Sequence, residues 1–287
     1  MNFFDLHCDT ISHSYNKNKN LSNGDLHVNF EKVLKFKKYY SCFAIWIDDI
    51  FNEDESFKIF NNLYNHFDEN KKYVNDNTNI ILSLEGTKPI GDDLSRIKYL
   101  KEKGIKIITL TWNGRCRIGD GCCVENSQGL SDFGKNAVKE MQKNEIIVDV
   151  SHASEKLFYD VCEISSAPII ATHSNSKYIF NHVRNLSDDQ FKIIVKNKGL
   201  VGINFCDKFL SDKTPGLDDV FKHIDHFLSL SGENSVCFGT DFDGCDPIED
   251  LNDVTKIDIL YNYLLKKNYS ESLVNKLFFD NAYNFFN

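Results

Sequence analysis

His7 and Asp9 stand two residues apart in the run Asp5-Leu6-His7-Cys8-Asp9-Thr10. In an extended strand alternate side chains share a face, so this imidazole and carboxylate point the same way and form half of a metal site. Glu85, His152, His173 and Asp241 each close a later apolar run. Burying so many ionisable groups together demands cations or pairing. Two divalent metals would satisfy the group, and Glu85, with two oxygens, could bridge them. Mixed histidine and carboxylate ligands suit zinc, with manganese or cobalt also compatible. Such a metal pair lowers the pKa of a bridging water and polarises a carbonyl. A nearby carboxylate can then take the water's proton and pass it to a leaving amine. Asp241 is assigned that task, and Asp243 and Asp5 are read as groups that orient the ligands.

Strand-like and helix-like runs alternate from end to end. The pattern predicts strands at Phe3–Cys8, Ser41–Ile47, Ile80–Leu84, Ile105–Thr111, Ile146–Ser151, Ile169–Thr172, Leu200–Phe205 and Val236–Gly239. It predicts helices near 30–38, 54–74, 92–103, 132–143, 154–164, 187–197, 217–230, 253–267 and 270–286. Ser131, Ser154, Ser187 and Ser270 read as N-caps. Eight βα units point to an α/β fold, a closed (β/α)8 TIM barrel, as one domain over residues 1–287. A doubly wound open sheet is the competing arrangement, but no G-x-G-x-x-G follows a strand. In a barrel of this kind the active site lies at the carboxyl ends of the strands, where each of these candidates falls. The Lys/Asn-rich stretch between 16 and 38 reads as a polar insertion without a functional role.

The chain has 287 residues, 41% of them hydrophobic, and a net charge of -9. An acidic balance argues against nucleic-acid or anionic-membrane partners. No apolar stretch is long enough to span a bilayer, and the N-terminus does not read as a signal peptide. Nine cysteines without a regular spacing point to reduced thiols and a cytoplasmic protein.

Several motifs together resemble one family. They are Asp5-Leu6-His7-Cys8-Asp9-Thr10, Glu85-Gly86, Gly129-Leu130-Ser131-Asp132-Phe133-Gly134, Asp149-Val150-Ser151-His152, His173-Ser174, Arg184-Asn185 and Gly239-Thr240-Asp241-Phe242-Asp243-Gly244. In order and spacing they are similar to the membrane dipeptidase (renal dipeptidase) family, peptidase family M19, of the amidohydrolase superfamily. The resemblance runs nearly the whole chain, to Asp280-Asn281-Ala282. It implies a binuclear zinc barrel in which His7 and Asp9 bind one metal, His152 and His173 the other, and Glu85 bridges. A metal-bridging hydroxide would attack the carbonyl of a small dipeptide, and Asp241 would transfer the proton. Arg184 would grip the substrate's free α-carboxylate, a task suited to a bidentate guanidinium. The resemblance also suggests a homodimer.

One position departs from the pattern. Where well-known members carry a histidine that contacts the reacting carbonyl, this chain has Trp112, in Leu110-Thr111-Trp112-Asn113. Trp donates one N–H and cannot titrate. It could stack on the substrate, hydrogen-bond the oxyanion or narrow the pocket, so it is taken as a substrate-binding residue. It also motivates an alternative function, a metal-dependent amidase acting on a modified amino acid. A metal-binding scaffold without catalysis is a further alternative. Cys116, Cys122 and Cys123 match no zinc spacing and are read as non-functional thiols. His13, His27, His66, His182, His223 and His226 are read as packing or solvent-facing residues.

Overall fold

The computed structural model describes residues 1–287. Its strands are β1 (Asn2–Cys8), β2 (Lys38–Trp46), β3 (Thr78–Glu85), β4 (Ile105–Thr109), β5 (Ile147–Asp149), β6 (Val201–Ile203) and β7 (Val236–Phe238). All pair in parallel, in the order β5-β4-β3-β2-β1-β7-β6. The two ends of this sheet meet through residues 170 and 171. Ile170 bridges to Asp149 of β5, and Ala171 bridges to Val201 of β6, both in parallel. The sheet therefore closes on itself, as the expected barrel requires.

The predicted strand Ile169–Thr172 is reduced to residues 170 and 171, which still exchange backbone hydrogen bonds with both neighbours, Val148 and Val150 on one side and Leu200 and Gly202 on the other. Its neighbours approach too closely for side chains on one face. A Cβ added to Gly202 or Gly239 would lie 1.9 or 1.7 Å from the Thr172 carbonyl oxygen. Only glycine permits that approach.

The serine caps predicted from sequence form. Ser131, Ser154, Ser187 and Ser270 each accept from the N–H three residues on, opening the helices Asp132–Lys143, Glu155–Ile164, Asp188–Lys196 and Glu271–Asn275. Other elements differ. A helix over Thr10–Asn16 follows β1 directly, hidden in the sequence by its Ser, Thr and Asn content. The predicted helix near 30–38 is a single 3₁₀ turn, Lys32–Lys35. The last helix is interrupted by a π-turn at Lys276–Asp280, after which the Asn281 amide donates to the Glu233 and Val236 carbonyls.

Two apolar clusters hold the barrel. The larger fills the space between strands and outer helices. The smaller takes Phe4, Leu6, Cys42, Ile107, Ile170, Leu200 and Cys237 from successive strands and meets Phe279 and Ala282. The C-terminal helix thus plugs one end of the barrel. The chemistry-bearing residues gather at the other, beyond the carboxyl ends of the strands.

Candidate active site

The register of β1 against β2 shifts between Asp5 and Cys8. That irregularity frees His7 from strict alternation just where it enters the site. Asp9 opens the helix Thr10–Asn16, yet its carboxylate makes no capping bond. It lies instead 3.3 Å from His7, measured from Asp9 Oδ2 to His7 Nε2. Glu85, the last residue of β3, spans the centre. Its Oε2 is 3.5 Å from His7 Nε2, while its Oε1 is 2.9 Å from His152 Nε2 and 3.8 Å from His173 Nε2. Asp241 Oδ1 stands 3.8 Å from His7 Nε2. All six groups are buried.

Two buried aspartates set these residues by the same device. Asp5 accepts from the His7 N–H and from both the N–H and hydroxyl of Thr240, tying β1 to the residue before Asp241. Asp149 accepts from the Ser151 N–H and from both the N–H and hydroxyl of Thr172, tying the residues before His152 to the residue before His173. Burial pushes the Asp5 carboxyl up to about 7 despite these bonds. Asp243 accepts from the Thr10 hydroxyl and from the N–H groups of His27 and Val28, so it anchors the polar insertion. His152, Asp241 and Asp243 all have left-handed backbones, with φ of 64°, 63° and 65°. Such conformations are strained for side-chain-bearing residues and persist where surroundings enforce them.

The buried groups of the cluster shift one another's protonation. Burial, reinforced by the Glu85 charge, pushes the Asp9 carboxyl up to about 8. Burial would raise Glu85 also, but His7 and His152 hold it well below the usual carboxylate range. Burial would lower His7, yet Glu85 and Asp9 raise it well above an ordinary imidazole. Burial and the nearby Arg184 charge lower His152, and burial and His7 carry His173 well below the ordinary value. His152, His173 and Glu85 thus hold the protonation state that metal ligands require, whereas His7 and Asp9 would each release a proton on binding one.

The residues fit a metal. His152 Nε2 and His173 Nε2 face one another at 3.0 Å. His152 Nδ1 meets Asn113 Oδ1 at 2.9 Å, and His173 Nδ1 meets Thr172 Oγ1 at 2.8 Å. The Thr172 hydroxyl proton goes to Asp149, so Thr172 Oγ1 accepts from His173. Each ring thus carries its proton on Nδ1 and aims a lone pair at the other. Asp9 Oδ1 is buried without a hydrogen-bond partner. Donor groups close enough to share an ion are His7, Asp9 and Glu85; Glu85, His152 and His173; and His7, His173 and Asp241.

A cavity of about 530 Å³ opens onto this cluster. Arg184 and Trp112 both line it. Arg184 is buried, and its Nε and Nη2 have no partner in the protein. Its guanidinium lies 5.4 Å from the Phe209 ring, which holds it without neutralising it. Trp112 packs edge to face on Trp46, with ring centroids 5.1 Å apart, and forms a wall of the cavity.

Sequence reading overlooked three contributors. Asn113 is one, and it follows Trp112 directly. Asn204, near the end of β6, donates from Nδ2 to Asp241 Oδ2 at 2.9 Å. Gly244 lies so close that a Cβ would fall 2.1 Å from Asp9 Oδ2 and 2.7 Å from Asp241 Oδ1. The remaining histidines divide. His223 is buried between the Ser176 N–H and the Leu210 carbonyl, and His226 stacks on Tyr178. His13 and His182 line the cavity. Of the three clustered cysteines, Cys116 packs against the core and Cys123 reaches the cavity wall.

Known proteins share this chain's fold and family. A Klebsiella pneumoniae protein, described as uncharacterized and lying in the pqqA 5′ region, is 30% identical over 213 residues, covering 70% of this chain and 79% of its own. A solved metallopeptidase of family M19, dipeptidase AC, superposes with a TM-score of 0.92 at 24% identity, covering 99% of this chain and 97% of the other. A Rhodobacter sphaeroides metallopeptidase, solved with a phosphinate mimic of the dipeptide L-Ala-D-Ala, superposes with a TM-score of 0.90 at 23% identity, covering 99% and 98%. These structures share the barrel. The model of the family described as Membrane dipeptidase (Peptidase family M19) matches residues 1–287, so the chain belongs to that family and is by class a metallo-dipeptidase, a hydrolase.

Proposed function

We propose that this enzyme uses two divalent cations, zinc foremost, to hydrolyse dipeptides that carry a free α-carboxylate. The observation that carries the substrate class is Arg184, a buried guanidinium whose Nε and Nη2 lack partners beside a cluster of metal-binding groups. A buried charge without a partner is costly, and a bidentate anion relieves it.

Two of the donor groups share Glu85, which supports a pair of ions: one at His7 and Asp9, the other at His152 and His173. When bound, such a pair activates water at neutral pH and polarises the carbonyl to be cleaved. The protein supplies the rest. Arg184 receives the carboxylate and so fixes which bond lies over the metal-binding groups. Asp241 has one oxygen held by Asn204 and the other turned toward His7. That free oxygen takes a proton from water and returns it to the departing amine. Trp112 and Trp46 limit the space beside His152.

Amidase activity on a modified amino acid is the second reading, favoured by the Trp112 wall. It would leave Arg184 unpartnered. We place the enzyme in the cytosol, a reducing compartment suited to nine free thiols. No helix is long and apolar enough to cross a membrane.

The test is a panel of L-L and L-D dipeptides, each with a C-terminally amidated twin, given to the zinc-loaded protein. Cleavage of the free peptides with loss on amidation supports the proposal. Cleavage confined to the amidated set would overturn it in favour of the amidase.

A further inference from the structure

The two facing histidines are held in different ways. His173 is fixed from inside the barrel. Its Nδ1 donates to Thr172 Oγ1, whose hydroxyl donates to Asp149, and both partners are buried. His152 has no such support from the barrel wall. Its Nδ1 meets only Asn113 Oδ1, at 2.9 Å, and Asn113 belongs to the loop after β4 and lines the substrate cavity.

That loop folds back on His152. The Cys122 N–H donates to the His152 carbonyl at 2.7 Å, and the Cys123 N–H donates to the Asn113 carbonyl at 3.1 Å. The Thr111 hydroxyl donates to the same His152 carbonyl. The Cys122 thiol donates to the same Asn113 Oδ1 at 3.6 Å. Gly121 makes this closure possible, since a Cβ there would lie 2.2 Å from the Trp112 carbonyl oxygen. The left-handed backbone of His152 is thus clamped at its carbonyl, and the imidazole is oriented by one amide oxygen.

We infer that Asn113 is the positioning residue for His152, selecting the tautomer that presents Nε2 and thereby setting the affinity of the ion shared by Glu85, His152 and His173. This inference rests on the metal-pair reading above. It deepens that reading by assigning the weaker half of the pair. An amide oxygen accepts but cannot donate, so it admits only the Nδ1–H tautomer. Removing such a partner typically costs about 10–100-fold in metal affinity. His7 and Asp9 make no hydrogen bond to Asn113, and their group meets His152 only through Glu85, so its ion is expected to change less.

The experiment is a metal titration of the apo protein, wild type against Asn113→Ala and Asn113→Asp, followed by the visible spectrum of the cobalt-loaded protein and by bound-metal stoichiometry. Asn113→Ala is expected to bind one equivalent as the wild type does and the second roughly 10–100-fold more weakly. Its cobalt spectrum should change chiefly for that second equivalent. Asn113→Asp keeps an acceptor oxygen and is expected to retain the second equivalent. Two equal wild-type affinities in Asn113→Ala would overturn the inference. Equal loss in both variants would overturn it too, since the loop rather than the acceptor would then be responsible. A wild-type protein that binds a single equivalent would instead remove the metal-pair reading itself, and the two failures are distinguishable.

Discussion

His152 and His173 bring their Nε2 atoms within 3.0 Å of each other while each spends its Nδ1 proton elsewhere. Two lone pairs at that distance repel in a buried site unless a cation lies between the rings and their Glu85 neighbour. Metal should therefore stabilise the fold as well as enable the reaction. Chelation is expected to lower the melting temperature by roughly 4–5 °C for each ion lost, relative to protein at a hundredfold excess of zinc over Kd, corresponding to about 2.7 kcal/mol per site. Differential scanning fluorimetry with and without zinc checks this. An unchanged melt would argue against metal binding in the folded state.

Glu85 and Asp241 should fail in different ways. Glu85→Ala removes the group common to two of the donor sets and is expected to abolish activity along with bound metal. Asp241→Asn keeps the hydrogen-bonding shape but cannot take a proton. Its kcat should fall on the order of 10²–10⁴-fold with metal content largely retained. Steady-state kinetics paired with elemental analysis separates the two, and an active Glu85→Ala enzyme would exclude the proposed arrangement.

Arg184→Lys keeps the charge and loses the fork. For dipeptides with a free carboxylate, kcat/KM should drop on the order of 10²-fold, with most of the change in KM. Any residual rate on amidated dipeptides should be nearly unaffected. Equal losses on both substrates would mean that Arg184 serves the structure and not the carboxylate.

Gly244→Ala places a methyl group against two carboxylates of the site, Asp9 and Asp241. Displacing either by about an ångström is expected to cost on the order of 10²-fold in kcat/KM. The melting temperature of the metal-free protein should move little, because the change lies at the cavity surface. Wild-type kinetics in Gly244→Ala would show that Asp9 and Asp241 tolerate movement.

His223 gives a pH dependence of stability away from the metal site. Burial lowers its pKa to about 4. Its Nδ1 accepts from the Ser176 N–H and its Nε2 donates to the Leu210 carbonyl, an arrangement that only the neutral ring can satisfy. The unfolded value is about 6.5, so between pH 6.5 and 4 the unfolded chain binds the extra proton. The stabilisation is full above pH 6.5 and is lost as pH falls toward 4, amounting to about 3 kcal/mol. Denaturant unfolding at pH 7 and pH 4.5 should show this slope in the wild type and a flatter one in His223→Gln. Identical slopes would refute the assignment.

Much of this was readable because ligand chemistry sits at strand ends. His7, Asp9, Glu85, His152, His173 and Asp241 each interrupt an apolar run, and the barrel brings them within a few ångströms. The serine caps were legible for a similar reason, since a cap is a local bond between near neighbours. The helix Thr10–Asn16 was not, because its stability comes from packing and not from the propensities of its residues. Nor did spacing show that Asn113 and Asn204 reach His152 and Asp241. Those partnerships join residues far apart in sequence, and neither asparagine is distinguished from a turn residue until the sheet closes. Nor did spacing show that Gly202 and Gly239 must be glycine, since that requirement comes from the Thr172 carbonyl lying against both.

Closure of the sheet also orders events during synthesis. β1 pairs with β7 at Asp5 and Phe238, partners at nearly opposite ends of the chain. Asp5 meets Thr240 there, and His7 meets Asp241. Contacts of such long sequence separation carry a large loop-closure cost and require the whole chain between them. Until β7 has been made, His7, Asp9, Glu85, His152 and His173 exist without the closed barrel that assembles them. A nascent chain therefore presents scattered ligands and no finished site. The last strand and the aromatic helix behind it therefore complete the enclosure that brings the six groups together.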